Sequence, residues 1–154
     1  HTILCVGGGI SIDRRYRMEE WKKYCAKNRM CPNTEDKFGK NFYWSDEAPV
    51  YNDEMLTLIN QKFAIDTVIT HTAPDFCEQI NKNGLHSFAA SDENLLKDVE
   101  DERTTMTKLY DRLVYDAHPL THWYYGHFHQ SWHSSIEGVL FKMLDIMEFT
   151  PINY

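Results

Sequence analysis

The sequence predicts an α/β sandwich, and three observations point to it. Two short apolar or β-branched runs, Ile3-Leu4-Cys5-Val6 and Asp66-Thr67-Val68-Ile69-Thr70, stop abruptly at loop-forming residues. Helix-spaced apolar positions fill the stretches between and after them. The end of the chain reads as consecutive strands. Strands separated by helices, then a strand-rich tail, are best buried as helices laid on a sheet. With 154 residues, 42% apolar and 25% charged, the chain has the size of one domain spanning 1–154 with a real core.

Ile3-Leu4-Cys5-Val6 predicts a fully buried strand that ends in the tight loop Gly7-Gly8-Gly9. Residues 13–17 are charged, and a helix follows through Trp21, Tyr24 and Cys25. The stretch 31–45 carries Pro32, Asn33, Gly39 and many polar residues, so it predicts a loop. Beyond Pro49, Asn52 can cap a helix running to about Phe63, with Met55, Leu58, Ile59 and Phe63 on one face. The β-branched run 66–70 predicts a buried strand ending at His71-Thr72-Ala73-Pro74. A long helix capped by Ser91 or Asp92 should bury Leu95, Val99, Met106, Leu109 and Leu113 along one face, and Pro119 closes it. Strands are expected at 122–125, 132–136 and 139–149, the last two joined by a turn at Glu137-Gly138.

Composition narrows the function. No apolar run approaches the ~20 residues that span a bilayer, and the start HTILCVGGG lacks the basic and long apolar regions of a signal peptide. Seven Gly and five Pro exclude collagen-like and low-complexity chains. A net charge of −7 argues against nucleic-acid binding, which needs Lys and Arg to meet phosphates. Small phosphorylated substrates remain compatible with it, because a metal site can hold a phosphate against an acidic background. Cys5, Cys25, Cys31 and Cys77 form no C-x-x-C, which predicts reduced thiols and a cytoplasmic setting. Aromatics, at 14%, are expected in the core and in cleft walls.

Two places carry chemistry, and both follow a predicted strand, where open α/β sheets gather ligands. One is His71. The other is Gly126-His127-Phe128-His129, in which Gly126 permits the chain to turn and two imidazoles can face one centre. Neutral imidazole is the commonest metal ligand and suits Zn, Fe, Mn or Ni. The competing reading is incidental: a lone His at a strand end usually bonds at the surface, and with His122 and His133 the stretch is simply rich in histidine. His1, His86 and His118 carry no functional reading. Asp13, Arg14 and Arg15 follow the glycines and are candidates to hold a phosphate or substrate group, against the alternative of a solvated loop. Trp21, Tyr43 and Trp44 could wall a cleft or pack the core. The charged run 92–103 is expected on a solvated helix face, and Met143 and Met147 in the core. No residue is assigned a catalytic role.

THTAP at 70–74 and YGHFH at 125–129 resemble two signature loops of the calcineurin-like metallophosphoesterases. GGGISIDRR at 7–15, the Trp44 region and the acidic helix with Glu102-Arg103 resemble the bacterial serine/threonine-phosphatase-like branch of that family. The resemblance implies part of a four-layer α/β/β/α sandwich. It implies that His71 and His127 bind one divalent metal and His129 a second, the metals being Mn, Fe or Zn. Two such metals clamp a phosphate and lower the pKa of the attacking water. Phe128, between the ligands, is expected to pack.

The reading finds no D-x-H, G-D-x-x-D or G-N-H-[DE] loop in this sequence, and His1 is not the missing G-N-H histidine. In the family those loops supply the carboxylate and asparagine ligands and the catalytic histidine. The chain therefore resembles the carboxyl-terminal half of a metallophosphoesterase with its amino-terminal strands missing. The expectation is a phosphatase-like hydrolase of phosphoesters, inactive as this chain alone, that associates with itself or with the missing half. Two alternatives stand beside it. One is a mononuclear zinc hydrolase using His71, His127 and His129, with Asp75 or Asp145 as outer partners. The other is a non-catalytic interaction module.

Overall fold

The computed structural model describes residues 1–29, 43–77 and 82–152. Five strands, β1 (Ile3–Val6), β2 (Thr67–Thr70), β3 (His122–Tyr125), β4 (Trp132–Ile136) and β5 (Val139–Met143), form one sheet in the order β1-β2-β3-β5-β4. β1, β2, β3 and β5 run parallel, and β4 is antiparallel to β5. Among the described residues four helices accompany them: α1 (Arg14–Lys27), α2 (Asp53–Asn60), α3 (Lys82–Ala89) and α4 (Leu95–Tyr115). The fold is therefore mixed α/β, as expected. Among the described residues no helix is long and apolar enough to cross a membrane.

The core follows from the two-residue period of the strands. Register aligns Leu4, Val68, Trp123 and Phe141 across four strands on one face. Against this row pack Leu56 of α2 and Met106, Leu109, Tyr110 and Leu113 of α4. Burying each large apolar side chain contributes about 1.5–3 kcal/mol, so α4 is held mainly by this seam. Trp123 stacks on Phe141 at 5.7 Å, and its indole N–H donates to the Thr70 hydroxyl at 2.8 Å.

Several expectations need correction. β1 lies at the sheet edge with Ile3 and Cys5 facing outward, so it is not fully buried. In α2 Asn52 does cap, accepting from the Met55 amide at 2.9 Å, but the helix ends at Asn60. Its buried anchor is Leu56, whereas Met55, Leu58 and Phe63 are about half exposed. A two-turn helix meets the sheet through a narrow stripe, and Leu56 with the partly buried Ile59 fills it. The N-cap of α4 is Asn94 rather than Ser91 or Asp92, although the Asp92 carboxylate, bound to Arg14, also accepts from the Asn94 amide at 3.3 Å. The sequence reading did not assign α3. β5 stops at Met143, where 145–148 turns with the Glu148 amide donating to the Asp145 carbonyl at 3.1 Å. Met147 is consequently 80% exposed rather than core. The expected loop at 31–45 lies mostly outside the described residues.

The charged run 92–103 is a solvated face only in part: Glu93, Lys97, Glu100 and Asp101 are exposed as expected, but three of its charges are not. Asp92, Glu102 and Arg103 are all buried. One terminal nitrogen of Arg103, Nη2, donates to the carbonyls of Pro74, Asp75 and Cys77 at 2.8, 2.7 and 2.5 Å. That guanidinium satisfies the backbone of the turn after β2 and pins it to α4.

Candidate functional site

Because β1, β2 and β3 are parallel neighbours, the loops after Val6, Thr70 and Tyr125 emerge at one end of the sheet. The Gly126 amide donates to the His71 carbonyl at 3.2 Å, so the two histidine loops remain paired beyond the strands. His127 Nδ1 then lies 2.8 Å from His71 Nε2, across 56 residues of sequence, with the rings edge to face at 4.6 Å. This is the contact that the sequence reading needed and could not measure.

The neighbours explain how the loops fit. At Gly9 an added Cβ would fall 2.5 Å from His71 Cδ2, so only glycine lets the first loop lie against that ring. His127 and His129 both take left-handed backbone conformations, with φ of 71° and 52°. Non-glycine residues rarely do so, and such positions concentrate where function over-determines the chain. Phe128 packs against Tyr125 and edge-on to His127, the packing role expected of it.

Glu102 is the residue that sequence reasoning missed. It is 3% exposed, accepts from the Thr72 hydroxyl at 2.6 Å, and accepts from the Ile10 amide. One carboxylate from α4 thus ties together the loops after β1 and β2. Burial pushes its pKa up, against the opposing effect of those hydrogen bonds. Burial also pushes His71 and His127 down, reinforced by His127 acting on His71 and by His129 acting on both. Both shifts favour the neutral imidazole, the state that offers a nitrogen lone pair to a cation, with Glu102 and Glu47 opposing at His71. The missed signal was the place of Glu102 on the apolar stripe of α4, four residues before Met106.

These groups line a cavity of about 570 Å³, where His71, Glu102, His127 and His129 are joined by Ser11, Ile12, Leu85, Phe88, Val99 and Phe128. Asp13 is on its lining, but Arg14 is not. The Arg14 guanidinium is buried and donates to Asp92 at 2.6 and 3.1 Å, with Asp98 at 2.6 Å. Among the described lining residues the cation is Arg17, whose Nε donates to Asp13 at 2.8 Å. Glu47, also not anticipated, accepts from the Ser11 amide and hydroxyl at 2.6 and 2.7 Å. It shares a second opening with His71, Trp44 and Asp46.

Among the described residues, no three His, Cys, Asp or Glu side chains converge to hold a metal ion. His71 and His127 meet as a pair, and His129 does not complete a group of three. Asp145 accepts from the Ile146 amide at 2.7 Å. A D-x-H triplet does occur, at Asp116-Ala117-His118, but it sits at the far end of α4. Asp116 accepts from Arg112 at 2.6 Å, and His118 Nδ1 accepts from the Ile65 amide at 3.0 Å, ahead of β2 and away from His71. His122 stacks on Tyr124, and His1 pairs with Asp66.

Comparison with protein-family models, with curated proteins and with solved structures found no match to this chain. The fold and the site define an α/β protein with a paired-histidine cavity at the carboxyl ends of its parallel strands.

Proposed function

We propose that this chain supplies the histidine side of a divalent-metal phosphoester hydrolase. The observation that carries the reading is the approach of His71 Nε2 to His127 Nδ1 at 2.8 Å. Two nitrogens bound to one ion at about 2.0–2.1 Å are roughly 3 Å apart, so the pair could share a cation once the hydrogen between them moves to another ring nitrogen and both rings turn toward a common point. Neutral imidazoles suit Zn, Mn or Fe. Two donors leave a coordination shell open, and the resemblance to metallophosphoesterases assigns the remaining carboxylates to loops absent from this sequence. His129 would serve a second ion.

The metals would polarise the phosphoryl oxygen and lower the pKa of water. In the hydrolysis, the oxygen of water bonds to phosphorus, the ester P–O bond breaks, and the alcohol departs with a proton. This chain holds the histidine loops in place through Glu102, and Arg17 with Asp13 bounds the cavity. The finer fold reading is part of a four-layer α/β/β/α sandwich. The outward-facing edge at β1 supports pairing with a further segment or a second copy. Cys5 and Cys77, unbridged among the described residues, support a reducing, cytoplasmic setting.

The test is metal content of the purified chain, with intact mass checked on the same sample. Uptake that depends on His71 and His127 is the expected result. A folded chain that takes up no metal, whether alone or completed by carboxylate loops, overturns the reading.

A further inference from the structure

His118 sits where three elements meet. Beyond α4 the chain turns through Ala117 at φ 57°, and the His118 amide donates back to the Leu113 carbonyl at 3.1 Å. Helix ends of this kind ordinarily place glycine in the left-handed position. The turn sets the His118 ring between Asn60, the last residue of α2, and Ile65, just ahead of β2.

The hydrogen bonds around that ring run in one direction. A backbone amide can only donate, and the Ile65 amide donates to His118 Nδ1 at 3.0 Å. Nδ1 therefore carries no proton, and the neutral ring bears its N–H on Nε2, 2.7 Å from Asn60 Oδ1. Asn60 Nδ2 donates in turn to the Asp116 carboxylate, which also accepts from Arg112 Nε at 2.6 Å. An amide donor at one end and a carboxylate acceptor at the other thus fix the tautomer of His118.

A second proton has no place in this arrangement. Imidazolium bears N–H on both nitrogens, so Nδ1–H would meet the Ile65 N–H donor to donor. Ile65 is 1% exposed, and its amide would be left without an acceptor. Burial lowers the His118 pKa, and Asp116 opposes it more weakly. The other charges at this corner are taken: Asp53 of α2 by Arg112 and Tyr51, and Asp66 ahead of β2 by Thr2, Thr67 and His1. His122 of β3 faces the Thr121 hydroxyl at 2.9 Å.

Apart from this corner α2 has little to hold it. Leu56 is the one buried residue of the helix. With Ile59 it walls a cavity of about 190 Å³ against Leu4 and Val6 of β1 and Met106 and Leu109 of α4.

We infer that His118 is an acid-operated latch on α2: neutral, it ties the end of the helix to β2 and α4, and protonated, it releases the Ile65 amide and lets α2 lift from the apolar cavity. The open form binds the proton that the closed form excludes. Closure is therefore complete above the ordinary histidine pKa of 6.5 and is lost as pH falls below it. The latch lies at the start of β2, whereas His71 follows its end, so it does not depend on the metal reading.

The experiment follows amide hydrogen exchange of the whole chain from about pH 7 to about pH 5, corrected for the intrinsic pH dependence of exchange. Protection of the Ile65 amide and of α2 is expected to fall about tenfold more than protection of β3. His118→Asn keeps an acceptor for Ile65 but cannot titrate, so that fall should vanish. NMR of the ring nitrogens in the unaltered chain should find the proton on Nε2 at neutral pH, a readout that needs no variant. Equal protection at both pH values overturns the latch. So does a fall that survives His118→Asn, or a neutral ring that carries its proton on Nδ1.

Discussion

Glu102 accepts a hydrogen bond from Thr72 at 2.6 Å, and Thr72 is the residue after His71. The same carboxylate accepts from the Ile10 amide, so a buried acid on α4 fixes both loops that meet the His71 ring.

Removing that carboxylate should cost stability in a graded way. Glu102→Ala leaves a buried hydroxyl and a buried amide without their acceptor, at about 1–3 kcal/mol each. Glu102→Gln keeps an acceptor for one of them and should lose roughly half as much. Urea unfolding of the two variants checks this. Equal midpoints for wild type and Glu102→Ala would show that the clasp contributes nothing.

Gly9 tests the close approach directly. A Cβ at this position would lie 2.5 Å from His71 Cδ2, so Gly9→Ala must displace the imidazole or the loop. Overpacking of this kind costs about 1–3 kcal/mol. The same substitution should weaken metal uptake, because the ring it displaces is one of the pair. Gly7→Ala is the control, since nothing lies within 4 Å of a Cβ there.

Much of the framework was legible in the sequence because it rests on local pattern. β-branched runs gave β2, the 3.6-residue stripe gave α4, and Asn52 gave the start of α2. The site was legible in part: His71, His127 and His129 sit at strand ends, as the reading required. The distribution of charge was not legible. Asp92, Glu102 and Arg103 look like a solvated run, yet each is buried against a partner 26 or more residues away. Arg14 and Arg17 look interchangeable in the sequence. Only the tertiary position of Asp92 decides that Arg14 turns inward, while Arg17 is the one on the cavity.

That buried pair sets an acid dependence. The hydrogen bond from Arg14 is the largest effect on Asp92 and holds its pKa below the ordinary value of 3.8. The stabilisation is fully present above the ordinary carboxylate pKa and is lost as pH falls through the depressed value. Asp92→Asn should destabilise by about 1–3 kcal/mol at neutral pH, with Asp98 still beside Arg14. The deficit should shrink as pH falls below the ordinary carboxylate pKa and through the depressed value. Unfolding midpoints from neutral to acid pH measure it, and a deficit that stays constant would remove Asp92 from the acid response.

The pairing of His71 with His127 makes a ranked prediction for metal binding. This chain supplies two donors to the ion, so losing either imidazole removes the chelating pair and should lower affinity by about tenfold or more. His71→Ala and His127→Ala should each show a loss of that size, because their facing nitrogens lie 2.8 Å apart. The double variant should lose little beyond either single one, since one remaining imidazole no longer forms a chelating pair. His129→Ala should lose distinctly less, because His129 does not join the pair in a group of three. Competitive zinc titration with a chromophoric chelator gives all four affinities. Equal losses at all three positions would mean that His129 moves in to bind the same ion, which restores the three-histidine mononuclear site as the better account.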